Sequence, residues 1–146
     1  MSISDGVTPR VLVVDDEPDI VEGLKLALVG KGYAVSTASD GPAALQQVKT
    51  VRPHVVVLDI NLPRMDGLTV LRHLRAFDSE VGVIIVSGIG DAETRQAALA
   101  LGAADYLTKP VCLQEVERSV ARLVVTRVLR EALRRGTEER GERCPP

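Results

Sequence analysis

A doubly wound α/β fold, with five parallel strands in one sheet and helices on both faces, is the class this sequence predicts. Two observations predict it. Short runs of aliphatic and β-branched residues recur five times, and each is followed by a stretch with helical spacing. Three of those runs, Val11-Leu12-Val13-Val14, Val55-Val56-Val57-Leu58 and Val83-Ile84-Ile85-Val86, are apolar throughout. Continuous rather than alternating apolarity marks strands covered on both sides.

The elements follow in order. After the first run, Pro18 suits the first turn of a helix whose stripe is Ile20, Leu24, Ala27 and Leu28, and Gly30-Lys31-Gly32 stops it. The second run is Ala34-Val35-Ser36-Thr37; Asp40 is placed to cap the helix that begins at Gly41, with Pro53 beyond its far end. After the third run, Leu68, Leu71 and Leu74 space a third helix. After the fourth, Asp91 caps a helix over 92–101 that Gly102 ends. The fifth run is Asp105-Tyr106-Leu107-Thr108, and a last helix is expected over 113–135. Right-handed crossovers then place helices on both faces, and the functional crevice at the carboxyl ends of the strands.

A length of 146 residues suits one domain with an appendage, read as a flexible start at 1–9, a domain over 10–124, and a helix extension with a disordered tail over 125–146. With 2% aromatic residues the core must be Val, Leu, Ile and Ala, and stacking on nucleic-acid bases is disfavoured. Cys112 and Cys144 have no metal-type spacing, which suits a reducing compartment. No signal-peptide start or span of about 20 apolar residues is present, so a cytoplasmic location is expected, with no membrane partner.

The net charge of −2 conceals an asymmetry. Residues 1–117 carry 10 basic and 16 acidic residues, whereas 118–146 carry 8 Arg and 4 Glu. The arginines are interspersed with Glu131, Glu138, Glu139 and Glu142, which reads as a solvated helix face, and no direct nucleic-acid binding is expected. Glu131 and Arg135 have the favourable i,i+4 order. On the same helix Val116, Val120, Leu123 and Val124 can cover the sheet. Ala121, Val125, Val128 and Ala132 form a second stripe that would suit a short coiled-coil seam, which raises a homodimer as one assembly.

Residues at the strand ends carry the chemistry. Asp15-Asp16-Glu17 follows the first run, Asp59 the third, Ser87 the fourth and Lys109-Pro110 the fifth. Capping requires one carboxylate, not three. Two carboxylates about 4 Å apart repel by about 4 kcal/mol at an effective dielectric near 20, so three converging aspartates would either have raised pKa values or demand a cation, and a divalent site is the simpler reading. An all-oxygen environment is the one magnesium prefers. Lys109 and the Ser87 hydroxyl at the same rim could hold the oxygens of a phosphoryl group arriving at Asp59, with that carboxylate as nucleophile.

Taken together, Val11-Leu12-Val13-Val14-Asp15-Asp16-Glu17-Pro18, Asp59-Ile60-Asn61-Leu62-Pro63-Arg64-Met65-Asp66-Gly67, Ser87-Gly88 and Gly102-Ala103-Ala104-Asp105-Tyr106-Leu107-Thr108-Lys109-Pro110 resemble the receiver domain of two-component response regulators. The likeness covers about residues 10–124. It implies a flavodoxin-like (βα)5 sheet in the order 2-1-3-4-5. Asp59 would be phosphorylated by a sensor histidine kinase or phosphotransfer protein. Magnesium would be bound by Asp16 and Asp59 directly, by Asp15 through water and by the Asn61 carbonyl. Ser87 would be the switch hydroxyl and Tyr106 an exposed aromatic that turns inward on activation. Lys109 would be the phosphate partner before a cis Pro110, and Gly67 a structural position. The expected role is phosphorelay signalling rather than enzymatic turnover, with at most self-phosphorylation and autodephosphorylation. The output surface would be the fourth helix, fifth strand and fifth helix, read by a downstream protein or a second copy. Two other readings stand beside it. A haloacid-dehalogenase-type phosphatase would want a second Asp where Asn61 stands; the other is the receiver part of a longer regulator with DNA-binding or other output.

Overall fold

Valine and isoleucine fill the strands because a β-branched side chain packs well on a pleated surface with helices above and below it. In this computed structural model, which describes residues 8–88 and 90–143 with side chains to 136, the order is β1 Arg10–Val14, α1 Pro18–Gly30, β2 Ala34–Ala38, α2 Gly41–Val51, β3 Val55–Asp59, α3 Gly67–Phe77, β4 Gly82–Ser87, α4 Ala92–Ala100, β5 Asp105–Thr108 and α5 Leu113–Arg143. The five strands form one parallel sheet in the order β2-β1-β3-β4-β5, the flavodoxin-like arrangement expected.

Alternation along each strand divides the core. Leu12, Val56, Leu58, Val83 and Ile85 face α2, α3 and α4, where Val48, Val70, Leu71, Leu74 and Ala98 meet them. Val11, Val13, Val55, Val57, Ile84 and Val86 face α1 and α5, against Leu24, Leu28, Val116, Val120 and Val124. Burying a Val, Leu or Ile side chain stabilises by roughly 1.5–3 kcal/mol relative to exposure, and nearly every strand position of β1, β3 and β4 is so used. The outer strands β2 and β5 are only partly covered, which accounts for their mixed composition.

Helix starts match their sequence signals. Asp40 and Asp91 accept from Ala43 N–H and Thr94 N–H, as expected, and Asp66 does the same for Thr69 N–H at the start of α3. The α5 side of the sheet also holds as read, with Val116, Val120 and Val124 buried.

Two expectations are corrected. The last helix does not end near Arg135 but continues through Gly136 and Gly141 to Arg143, since each helical glycine costs only about 1 kcal/mol. Glu131 pairs with Arg127, at 3.1 Å, instead of Arg135. Just before β3, His54 ties two strands at their amino ends: its Nδ1 accepts the Arg10 N–H at 2.9 Å. Burial, and then the charge of Arg10, holds its pKa below the usual value. The expectations for residues 1–7 and 144–146 lie outside the described residues.

Candidate functional site

All five strands point the same way, so their carboxyl ends open on one edge, where the last residues of β3 and β4 and the loops after β1 and β5 deliver the polar groups. Asp15 and Asp59 lie at this edge, each only 3% exposed, beside the fully buried Ser87. Lys109 reaches across the opening. Its Nζ lies 3.1 Å from Asp15 Oδ2, 3.2 Å from Asp59 Oδ2 and 3.0 Å from Glu17 Oε1. The Lys109 N–H donates to the Ser87 carbonyl, which ties the two loops together at the backbone. The Lys109–Pro110 bond is cis, as expected.

The loop after β3 is held by close packing. Asp59 Oδ1 accepts the Asn61 N–H at 3.0 Å, and the Gly67 N–H donates to the Ile60 carbonyl at 2.7 Å. A Cβ at Gly67 would stand 2.5 Å from both the Asp59 carbonyl oxygen and Ile60 Cα. Only glycine lets α3 begin so close to the residue that carries the carboxylate.

Charge is crowded at this edge. Burial raises the Asp59 pKa and the Asp15 carboxylate adds to the rise, while the Asn61 N–H and the Lys109 ammonium oppose it. Burial works against the charge on Lys109, but Glu17, Asp15 and Asp59 more than compensate, so its pKa lies above the ordinary range. One carboxylate oxygen from each of Asp15, Asp16 and Glu17 lies within 4.8 Å of the others. Asp15 is buried and the other two are exposed. Such an all-oxygen set, anionic and open to water, fits a hard divalent cation that keeps part of its hydration shell.

The structure brings part of the predicted set together by side chain and part by backbone alone. Asp15, Asp59 and Lys109 converge, Asp16 joins Asp15 at the rim, Ser87 is tied to Lys109 through its carbonyl, and Asn61 reaches Asp59 through its N–H. Glu17 was missed as a partner of Lys109; the signal available was its place two residues after Asp15 in the same acidic loop. Tyr106 departs from expectation. It is 6% exposed, packed among Val83, Ile85, Ala98 and Ala103 rather than turned out to solvent. The register explains why: Tyr106 pairs with Ile85 on β4, so its side chain shares the face that α4 covers.

The family model described as "Response regulator receiver domain" matches residues 11–121. The transcriptional regulatory protein PrrA of Mycobacterium tuberculosis is 45% identical over 120 residues, covering 82% of this chain and 52% of PrrA. The chain thus spans about half the length of the curated relatives it matches. Among solved structures, the receiver domain of Francisella response regulator 1452 aligns with a TM-score of 0.75 at 33% identity, covering 82% of this chain and 99% of that one. CheY in the CheX–CheY–BeF3–Mg2+ complex from Borrelia burgdorferi aligns with a TM-score of 0.77 at 31% identity, covering 82% and 91%. Strand order, edge chemistry and these matches agree, and the chain belongs to the response regulator receiver domain family of two-component signalling proteins.

Proposed function

We propose that Asp59 accepts a phosphoryl group from a phosphohistidine on a sensor histidine kinase or phosphotransfer protein. The observation that carries this is the placement of Lys109 Nζ within 3.2 Å of both Asp59 Oδ2 and Asp15 Oδ2, on an edge where carboxylates outnumber cations. In the transfer, an Asp59 carboxylate oxygen forms the new P–O bond, the P–N bond breaks, and the imidazole leaves with the bonding pair. Lys109 moves from its carboxylate partners to a phosphoryl oxygen, and the Ser87 hydroxyl donates to another.

Asp15, Asp16 and Asp59, with the Asn61 carbonyl, would hold magnesium. When bound, the ion neutralises the charge that builds up on the transferring group. The similar Borrelia CheY is found with BeF3 and Mg2+, which supports the same pairing here. The reading is of a cytoplasmic acceptor over 10–124, not a turnover enzyme, with self-phosphorylation and autodephosphorylation as its own chemistry. Nothing favours the phosphatase alternative: Asn61 occupies the position where that chemistry needs a second acid.

The output runs through α4, β5 and α5. Tyr106 lies directly beneath α4, a helix of nine residues in which only Ala98 is buried, so this helix is the least anchored of the five. Its partner is a downstream protein or a second copy of the chain, and Val125, Leu129 and Leu133, exposed along α5, favour the second copy. Relatives such as PrrA are transcriptional regulators about twice as long, so the receiver part of a longer regulator remains a coherent setting for the same switch. The test is phosphate-affinity electrophoresis after treatment with acetyl phosphate and Mg2+: the wild type shifts and Asp59→Ala does not. A shift retained in Asp59→Ala overturns the assignment.

A further inference from the structure

At the opposite edge of the sheet from Asp59, the end of α3, the start of β4, the loop before β5 and the middle of α5 enclose a cavity of about 290 Å³. Its charged lining is Arg75, Arg127 and Arg130 against Glu80. The ion pairs at this corner join Arg127 to Asp78, Glu80 and Glu131, and Arg134 to Glu80; Arg75 and Arg130 take part in none of them. Arg75 instead donates Nη1 to the Ser79 carbonyl at 3.1 Å and Nη2 to the Gly102 carbonyl at 2.8 Å. Carbonyls satisfy hydrogen bonds but cancel no charge.

Two buried donors of this lining, Arg75 Nε and Arg127 Nη1, have no hydrogen-bond partner among the described residues. Buried polar groups are almost always satisfied, and buried charges are almost always paired. Burial and the nearby Arg130 pull the Arg75 pKa down while Asp78 opposes them, the signature of a cation held against its preference. Three guanidinium groups line the cavity against one lining carboxylate, and although Arg127 is paired, Arg75 and Arg130 have no carboxylate partner among the ion pairs of this corner, which is the chemistry of an anion site.

We propose that this corner binds a small phosphate-type oxyanion, held by Arg75, Arg127 and Arg130. Phosphate suits the set better than a carboxylate. It presents oxygens tetrahedrally to arginines arriving from two helices, and it carries up to two charges where a carboxylate carries one. The ligand would join α3, α5 and, through the Gly102 carbonyl, the turn between α4 and β5. It shares no residue with the carboxylate edge and does not depend on the reading of Asp59.

The test is titration of the full chain with inorganic phosphate, without magnesium and at constant ionic strength, following the arginine side-chain Nε–H resonances and the Gly102 amide by NMR. Acetate at matched ionic strength is the second arm. Saturable shifts at Arg75, Arg127, Arg130 and Gly102, with little change at Arg72, Arg95 and Arg118, are expected. Arg130 is exposed, so Arg130→Gln should keep the native spectrum and weaken phosphate binding by roughly tenfold or more, as loss of a charged hydrogen bond does. Unsaturated shifts shared by all arginines, equal binding of acetate, or full affinity in Arg130→Gln would each overturn the proposal.

Discussion

At one edge of the sheet, the carboxylates of Asp15, Asp59 and Glu17 surround a single ammonium; at the other, three guanidinium groups line a cavity with one carboxylate. The two edges are assembled differently. The acidic edge is built from residues at or just after the carboxyl ends of strands, and backbone bonds such as Lys109 N–H to the Ser87 carbonyl fix their spacing. The basic edge is built from side chains reaching off α3 and α5, with Arg75 bonding across 27 positions to Gly102. A parallel sheet gathers strand ends by topology alone, whereas a helix-borne cluster depends on how far each helix runs and how it is rotated.

The largest expected effect tests the acidic edge: Asp59→Ala removes acetyl phosphate-dependent modification altogether, read by phosphate-affinity electrophoresis. Second is Gly67→Ala. A methyl group there would overlap the backbone of Asp59 and Ile60, so the loss is about 1–3 kcal/mol or more in urea unfolding. The matching change at Gly136, where an added Cβ meets nothing within 4 Å, has the opposite sign: it should stabilise by about 1 kcal/mol or less through helix propensity.

Electrostatics gives the third. The folded-state pKa of Asp59 is raised, so the fold binds its proton more tightly than the unfolded chain does, and this group's contribution to stability falls as pH rises from 3.8 through the folded value. At neutral pH without a divalent ion, Asp59→Asn should therefore raise the thermal midpoint, by roughly 2–4 °C for each kcal/mol gained. Added Mg2+ should stabilise the wild type more than the variant; equal stabilisation would remove the cation from Asp59.

The smallest effect belongs to the far edge and has the other sign. The folded-state pKa of His54 is lowered, so its contribution is complete above 6.5 and is lost as pH falls from 6.5 through the folded value. Urea unfolding between pH 5 and 7 should show this decline in the wild type. His54→Gln, which keeps an acceptor for the Arg10 N–H but does not titrate, should flatten it.

Much of the fold was legible because its signals are local. Apolar runs, Pro18 at a helix start and the caps Asp40 and Asp91 each act within a few residues, and the acidic site followed from reading what comes after each strand. The exceptions depend on distance. The inward position of Tyr106 is set by its pairing with Ile85 across the sheet, and Glu17 is recruited by a lysine 92 positions away. Arg127 chooses between Asp78, Glu80 and Glu131 only once α5 has docked. Composition could show that the last helix is rich in arginine, but not which of those arginines turn back toward the sheet.

The length of α5 has a mechanical side. Val116, Val120 and Val124 clamp its first part to the sheet, and about 28 Å of helix follows Val124 at 1.5 Å per residue. A tilt of about 5° at the clamp sweeps the Arg143 end through roughly 2–3 Å, more than a side-chain contact tolerates. The helix is a lever whose fulcrum lies beside β5: a repacking too small to notice next to Tyr106 becomes a displacement that a neighbouring surface can register.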